Sequence, residues 1–538
     1  MRTHRLFDPT HAPATADAIE PTGPGALPDL AGKRIALIKN AWPSWHAMVD
    51  HLATLLADRY EGITFEQYIV PNGSAADPDM LRRIAGETDA AVVGLANCGS
   101  CTAWSFHDAF ELTRMSLPTV LVVTSEFAEL AAAVGRAKKS SIPQVLLPLN
   151  PETVDRQAAL DLVDDAVDEI VERLTVPADA DGAALPKVTA SRFAAVEAVD
   201  DPDDDTAHEF FYRRGWTDGL PVRLPTLPRV ERLLSALGDV DPGEVIAMMP
   251  PTGFGVTYEA LAVNAVMAGA VPELMPILVA MVRAACEPEF NLNGIATTTG
   301  PSTPMVIVNG PVRSAAEINA GRGALGHGWR ANAAIGRTLR LLITNIGGGV
   351  PGSVSKSIMG QPGRFSFCFA ENEQGSPWAP LHVDRGVDPA GSAVTLLGAT
   401  GSMNLLTPRQ DADAMISLLA DGLAFMGNPN VVMGRGTVAV LITPGHARVL
   451  AGAGMSKADV ATEIWKRSTL PIERFPRSAL PDPPYEFVQH DGLVYTVKDP
   501  SHLFVVVVGG PEPTHATLIP SHPSSIPVTR AIAPNLEK

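Results

Sequence analysis

Half of the cysteine in this 538-residue chain stands in one short stretch, "GLANCGSCTAWSFHDAF" at positions 94–110, as Cys98 and Cys101. A pair spaced this way can do thiol chemistry if one sulfur is ionised, because the thiolate is the nucleophile. The stretch follows an apolar run, "AAVVGLAN", and precedes a helical pattern, so both sulfurs are expected where a strand turns into a helix. Unsatisfied amides and the dipole at a helix start favour negative charge there. Ser105 with Asp108 three residues on has the spacing of a capping box, which places the helix start at Ser105 and both thiols at or just before it. Ser100 and Thr102 offer hydroxyl donors, and His107 offers a positive neighbour. Gly99 and Ser100 read as a flexible polar turn between the thiols. The remaining cysteines, Cys286 and Cys368, stand alone, so a four-cysteine zinc site has no second half.

A second group of chemistry-bearing side chains falls in "FSFCFAENEQGSPWAPLHVDRG", 365–386. Cys368, Glu371, Glu373, His382, Asp384 and Arg385 crowd together beside Trp378, a mixture that a substrate pocket could use and that an ordinary salt-bridged surface loop would equally explain. No His-x-His or His-Glu-x-x-His spacing supports a metal. Asn291 and Asn293 in "NLNGIATTTGPSTP" add amides suited to a polar ligand. The glycine-rich "NIGGGVPGSVSKS" fails the phosphate-loop pattern, since Ser355 stands where glycine must precede Lys356 and Val350 where the first glycine belongs. No cofactor is indicated.

The elements that must position these groups divide into two regions. From "KRIALIKN" onward, β-branched runs alternate with helical patterns: "RIALIKN", "TFEQYIV", "AAVVGLAN", "TVLVVTSEF" and "PQVLLPL" each lead into a helix, the signature of a doubly wound parallel sheet. The expected organisation is a flexible arm over 1–30, a flavodoxin-like α/β domain over 31–175, an acidic linker over 176–206 ending in "DDPDDD", and a Gly/Pro-rich α+β region over 207–538 that supplies the substrate pocket and is open to division into two subdomains. In an open parallel sheet the reactive crevice lies beyond the carboxyl ends of the strands, where Cys98 and Cys101 fall. The apolar stretch 260–286 is broken by Asn264, Pro272, Glu273, Pro276 and Arg283, and reads as two buried helices instead of a membrane span.

Composition bounds the partners. Hydrophobic residues are 46% and charged residues 19%, so the chain should fold as a soluble protein. With 41 basic against 59 acidic residues, a net charge of -18 disfavours nucleic acid and anionic membrane. The absence of a signal pattern and the low cysteine count point to the cytoplasm. Homo-oligomerisation would give the apolar 260–286 segment cover, as would burial within one chain.

The stretch Cys98-Gly99-Ser100-Cys101, with "AAVVGLAN" before it and "LPTVLVVTSEF" after it, resembles the UGSC family, in which selenocysteine or cysteine opens a U/C-G-S-C motif. The similarity is clearest over residues 33–150 and extends into the C-terminal region. It implies that Cys98 is the redox or nucleophilic centre and Cys101 its resolving partner. The leading expectation is a thiol-dependent oxidoreductase in which Cys98 attacks an electrophilic sulfur, nitrogen or carbon of a small molecule, Cys101 resolves, and an external thiol or dithiol resets the pair. The alternatives are a redox-neutral, cysteine-dependent lyase or racemase acting on a carbon acid, and a non-catalytic thiol carrier.

Overall fold

The computed structural model describes residues 2–10, 26–138, 140, 142–176, 195–201, 205–407, 411–476 and 487–533. After a first strand β1 (Arg2–Phe7), the chain runs β2 (Arg34–Lys39), α1 (Pro43–Arg59), β3 (Thr64–Ile69), α2 (Pro78–Glu87), β4 (Ala90–Ala96), α3 (Gly99–Arg114), β5 (Thr119–Thr124), α4 (Ala128–Lys138), β6 (Gln144–Leu147) and α5 (Arg156–Thr175). Strands β2 to β6 form one parallel sheet in the order β3-β2-β4-β5-β6. This is the flavodoxin-like order, with a topological switch point where β2 is flanked by β3 and β4.

Residues of α1 and α5 pack on one face of the sheet, and those of α2, α3 and α4 on the other. Covered on both sides, the central strands need no polar alternation, and every residue of β4 ("AAVVGLA") and β5 ("TVLVVT") is buried. Helix starts are set locally: Asp77 accepts the Asp79 amide at α2, with Pro78 next, and Asp155 accepts the Ala158 amide at α5.

Beyond residue 205 the chain is α+β. One four-stranded sheet has the order Cys368–Ala370, Thr303–Asn309, Ser392–Ala399, Val528–Ile532; another has the order Met403–Leu406, His515–Ile519, Val438–Ile442, Leu503–Val507. Helices Tyr258–Ala268 and Met275–Ala285, separated by a tight turn at Pro272–Leu274, are buried together with helix Arg330–Asn345 in one large apolar core. This is the proline-broken pair expected from the sequence. Among the described residues no helix is long and apolar enough to cross a membrane.

Two boundaries differ from expectation. The first residues are not a free arm: β1 pairs antiparallel with β7 (Ala195–Asp201), taken from the segment assigned to the linker, and Leu6 and Phe7 sink into the core of the C-terminal region. Burying those two side chains and pairing with β7 offset the cost of ordering the strand. At the other end of the supposed linker, Asp205 opens a helix, Asp205–Arg213. Residues 11–25, 177–194 and 202–204 lie outside the described residues.

The second difference concerns α3. It begins at Gly99, not Ser105, so Ser105 and Asp108 lie inside it. Ser105 Oγ accepts from Asn40 Nδ2 at 3.4 Å, and Asp108 Oδ1 accepts the Ala76 amide at 3.1 Å. Asp108 is fully buried with Oδ2 unpartnered, and burial pushes its pKa up to about 7. A carboxyl with a raised folded pKa contributes stability that is present below its unfolded pKa and lost as pH rises through the folded value. Asp108→Asn should therefore stabilise the fold near pH 8, by on the order of a few kcal/mol at most, with little gain near pH 4. Urea unfolding of both proteins at the two pH values checks this, and equal gains at both would contradict it.

Candidate functional site

Strand β4 delivers Cys98 to the switch point. Cys98 is extended (φ -148°, ψ 171°) and is the residue from which α3 starts, and its Sγ accepts the Cys101 amide at 3.1 Å. A sulfur thus fills the place that a Ser, Thr or Asp oxygen usually takes at a helix start. The Cys98 carbonyl accepts from the Thr102 amide at 2.9 Å, Thr102 Oγ1 at 2.6 Å and the Cys101 thiol at 3.3 Å. Ser100 Oγ lies 3.7 Å from Cys98 Sγ. From the end of β2, Trp42 Nε1 donates to Cys101 Sγ at 3.4 Å. Asn97, just before the motif, is held by Asn150 Oδ1 at 2.7 Å and Thr124 Oγ1 at 3.1 Å.

The two free thiols are electrostatically unlike. Burial alone would raise the pKa of Cys98, but hydrogen bonding from Cys101, whose amide faces the sulfur, and from Ser100 outweighs it and holds Cys98 below the ordinary thiol value. Cys101 is fully buried, and burial, reinforced by its neighbour Cys98, pushes its pKa well up; the Trp42 donor only partly offsets this. Cys98 is half-buried. The pair therefore sets a partly buried thiol of lowered pKa above a fully buried thiol whose pKa is raised.

Gly99 and Ser100 are not a flexible turn; they are the buried first residues of α3. The helix Leu292–Thr297 of the C-terminal region lies against them so closely that a Cβ on Gly99 would sit 1.5 Å from the Thr297 carbonyl oxygen. The Lys356 amide approaches the same carbonyl at 3.4 Å. Its neighbour Val354 packs into the core beneath α3, and Lys356 Nζ lies over the Phe127 ring, just after β5, at 5.7 Å. The larger region thus lies against the motif through the helix Leu292–Thr297, and 353–356 packs beside that helix and onto the sheet domain.

Other candidate residues fall elsewhere. His107 is nine residues beyond the start of α3 at Cys98, about 13 Å along the helix at about 1.5 Å per residue. Burial pushes its pKa down to about 4, with Lys138 Nζ 2.9 Å from its Nδ1, so it is neutral and supplies Cys98 with no positive charge. Asn291 is structural: it starts the helix Leu292–Thr297 and its Nδ2 donates to the carbonyls of Gly73 at 2.6 Å and Ser524 at 3.0 Å, tying both regions together. Asn293 lies on that same helix, with its Oδ1 buried and unpartnered.

The 365–386 cluster is an internal ionic network of the C-terminal region. Glu371, fully buried, accepts from Asn309 Nδ2 at 2.6 Å and the Leu381 amide at 2.7 Å, with Lys457 Nζ 3.8 Å away. Burial raises its pKa, against the pull of Lys457. Glu373 pairs with Arg313 at 2.8 Å, and Asp384 with Lys457 at 2.7 Å. Arg385 donates to the Pro527 carbonyl and lies over Phe504; His382 is buried. Cys368 is buried in a strand and Cys286 packs against the helical core, and burial raises both thiols, Cys286 to about 12. The three acids are spent on Asn309, Arg313 and Lys457, while His382 keeps both ring nitrogens buried without a partner among the described residues. Sequence reasoning missed Trp42, Asn97 and Thr297. The first two follow strand ends at the switch point, a usable signal, whereas nothing local marks Thr297.

The fold and the site define a flavodoxin-like α/β domain that carries a Cys-Gly-Ser-Cys thiol pair at its switch point. Residues 5–176 match the model of the UGSC family. The match ends before the α+β region. No curated protein matches the chain.

Because a methyl group at position 99 meets a backbone carbonyl and not a movable side-chain tip, Gly99→Ala should cost about 1–3 kcal/mol or force the helix Leu292–Thr297 away from α3. Thermal unfolding together with limited proteolysis checks this; an unchanged melting temperature and digestion pattern would contradict it.

Proposed function

We propose that the protein is a thiol-dependent oxidoreductase whose CGSC pair reduces an electrophilic sulfur in a small molecule. The observation that carries this reading is the Cys98 sulfur capping α3 through the Cys101 amide at 3.1 Å, in a partly buried residue above a fully buried Cys101 thiol. For a disulfide substrate, the Cys98 thiolate attacks one sulfur, the substrate S–S bond breaks, and the departing thiolate takes up a proton. The new mixed disulfide removes the negative charge from Cys98, and with it one of the causes holding the proton on Cys101. Cys101 then loses its proton to the second leaving sulfur as it attacks Cys98 Sγ. The substrate has gained two electrons and two protons, the pair is a disulfide, and an external thiol or dithiol reduces it again.

Ser100 and Thr102 serve this chemistry as positioning residues: Ser100 beside the sulfur, and Thr102 through the Cys98 carbonyl. In this reading substrate selection falls to the α+β region, whose helix Leu292–Thr297 lies against Gly99.

Iodoacetamide alkylation across pH, read by mass spectrometry, tests the assignment. The reactivity of Cys98 should rise with pH through a midpoint below that of an unperturbed cysteine, and Cys98→Ser should lose roughly tenfold or more of the neutral-pH rate. His107→Gln should leave the midpoint unchanged. With a small aromatic disulfide as probe, Cys101→Ser should accumulate a mixed disulfide on Cys98 while the native protein releases both thiol halves. Adducts on neither cysteine, or no thiol released, would overturn the proposal.

A further inference from the structure

A tryptophan side chain carries one polar atom, an N–H that can only donate, so an indole set into a fold is usually turned toward an acceptor. Backbone carbonyls take three of them in this chain: Trp45 donates to Ile38 at 3.2 Å, Trp378 to Met455 at 3.1 Å and Trp465 to Val497 at 3.0 Å. Trp42 differs from these. Its Nε1 donates to the Cys101 sulfur at 3.4 Å. A neutral thiol is a weak acceptor and an ionised one a strong acceptor, so this donor contributes most once Cys101 has lost its proton.

The backbone aims the indole independently of the sulfur. Just after β2, the Asn40 side chain exchanges two hydrogen bonds with the Leu95 backbone, at 2.8 and 2.9 Å, and so ties the end of β2 to β4. The Trp42 amide donates to the Asn40 carbonyl at 2.9 Å, and the Trp42 carbonyl accepts the Trp45 and His46 amides that open α1. The ring packs, partly buried, against the core on the α1 face of the sheet. In the reduced pair the Cys101 thiol points its own proton at the Cys98 carbonyl, 3.3 Å away, so the indole meets the sulfur at a lone pair. No rearrangement is needed for the N–H to serve an anion there.

The second half of the thiol reaction puts charge at that atom. Once Cys98 is held in a mixed disulfide, the Cys101 S–H bond breaks and its sulfur bonds to Cys98 Sγ, while the substrate sulfur leaves with the electron pair of the broken S–S bond and takes the proton. An external thiol that reopens the pair at Cys98, the less buried sulfur, expels Cys101 with the same charge. Both directions place an anion on a fully buried sulfur, which is costly without a donor.

We propose that Trp42 is a catalytic residue of the thiol site, whose indole N–H stabilises the Cys101 sulfur as an anion when the Cys98–Cys101 disulfide closes and when it reopens. This assignment rests on the oxidoreductase reading. Cys98 is the titratable group that acts on Cys101, and it carries no charge in a mixed disulfide; Trp42 and the Asn97 backbone, which also act on Cys101, are neutral. The pH dependence of closure is then that of Cys101 itself.

A single turnover of the full chain with a small aromatic disulfide separates the steps, because Cys98 releases the first aromatic thiol and Cys101 the second. In Trp42→Phe, which keeps a flat ring and lacks the N–H, the first release should keep its native rate. A tenfold loss of Cys101 thiolate is only partly offset by about threefold higher nucleophilicity, so the second release should slow several-fold at neutral pH, with the deficit shrinking as pH rises. Trp42→Leu serves as a second variant, and circular dichroism shows which of the two is folded. In Cys98→Ser with its tryptophans intact and isotope-labelled, one indole N–H signal should follow the Cys101 thiolate absorbance. A native second release in a folded variant at neutral pH, a deficit equal at every pH or shared by the first release, or thiolate formation with no indole signal moving, would overturn the role of Trp42 and leave the oxidoreductase reading standing. A native protein that releases no second thiol would overturn that reading, and the assignment with it.

Discussion

The Cys101 amide reaches back to the Cys98 sulfur across the first turn of α3, and most of what distinguishes this site follows from that contact. It puts a sulfur where a helix needs an acceptor, so charge on the sulfur is favoured by a fixed donor and the helix dipole together. It also forces Cys101 into the first turn, facing inward, where burial keeps its proton on. The same backbone bond thereby makes one of two chemically identical side chains more acidic and the other less so. No residue beyond the motif has to ionise for this to happen.

The helix start can hold that geometry only because the sheet and the second region hold it from both sides. Below, Asn97 is fixed by Asn150 and Thr124, and Trp42 reaches over from the neighbouring strand end. Above, the Thr297 carbonyl occupies the space that any side chain at position 99 would need. Glycine is therefore present for close approach of backbone to backbone, not for flexibility. Asn291, bonded to Gly73 and to Ser524, locks the covering helix onto the sheet domain.

The sheet was legible because parallel strands covered on both faces leave unbroken apolar runs, such as "AAVVGLA" and "TVLVVT", between helical patterns. The position of Cys98 at a strand end followed from that alternation. The start of α3 was misplaced by six residues because capping preferences are defined for oxygen side chains, so Ser105 drew the assignment away from a sulfur that does the same task. The stretch 365–386 looked like a pocket because its acids and bases are close in sequence. Only three-dimensional packing shows Glu371, Glu373 and Asp384 spent on Asn309, Arg313 and Lys457. The contact between Gly99 and Thr297 joins segments nearly two hundred residues apart, and no periodicity encodes it.

The account stands on the charge of one sulfur. The most direct measurement is an ultraviolet titration of thiolate absorbance in the native protein minus the same titration in Cys98→Ser. The account predicts that the difference appears as a single ionisation below that of an ordinary cysteine. A difference that appears only at or above the ordinary thiol range would contradict it.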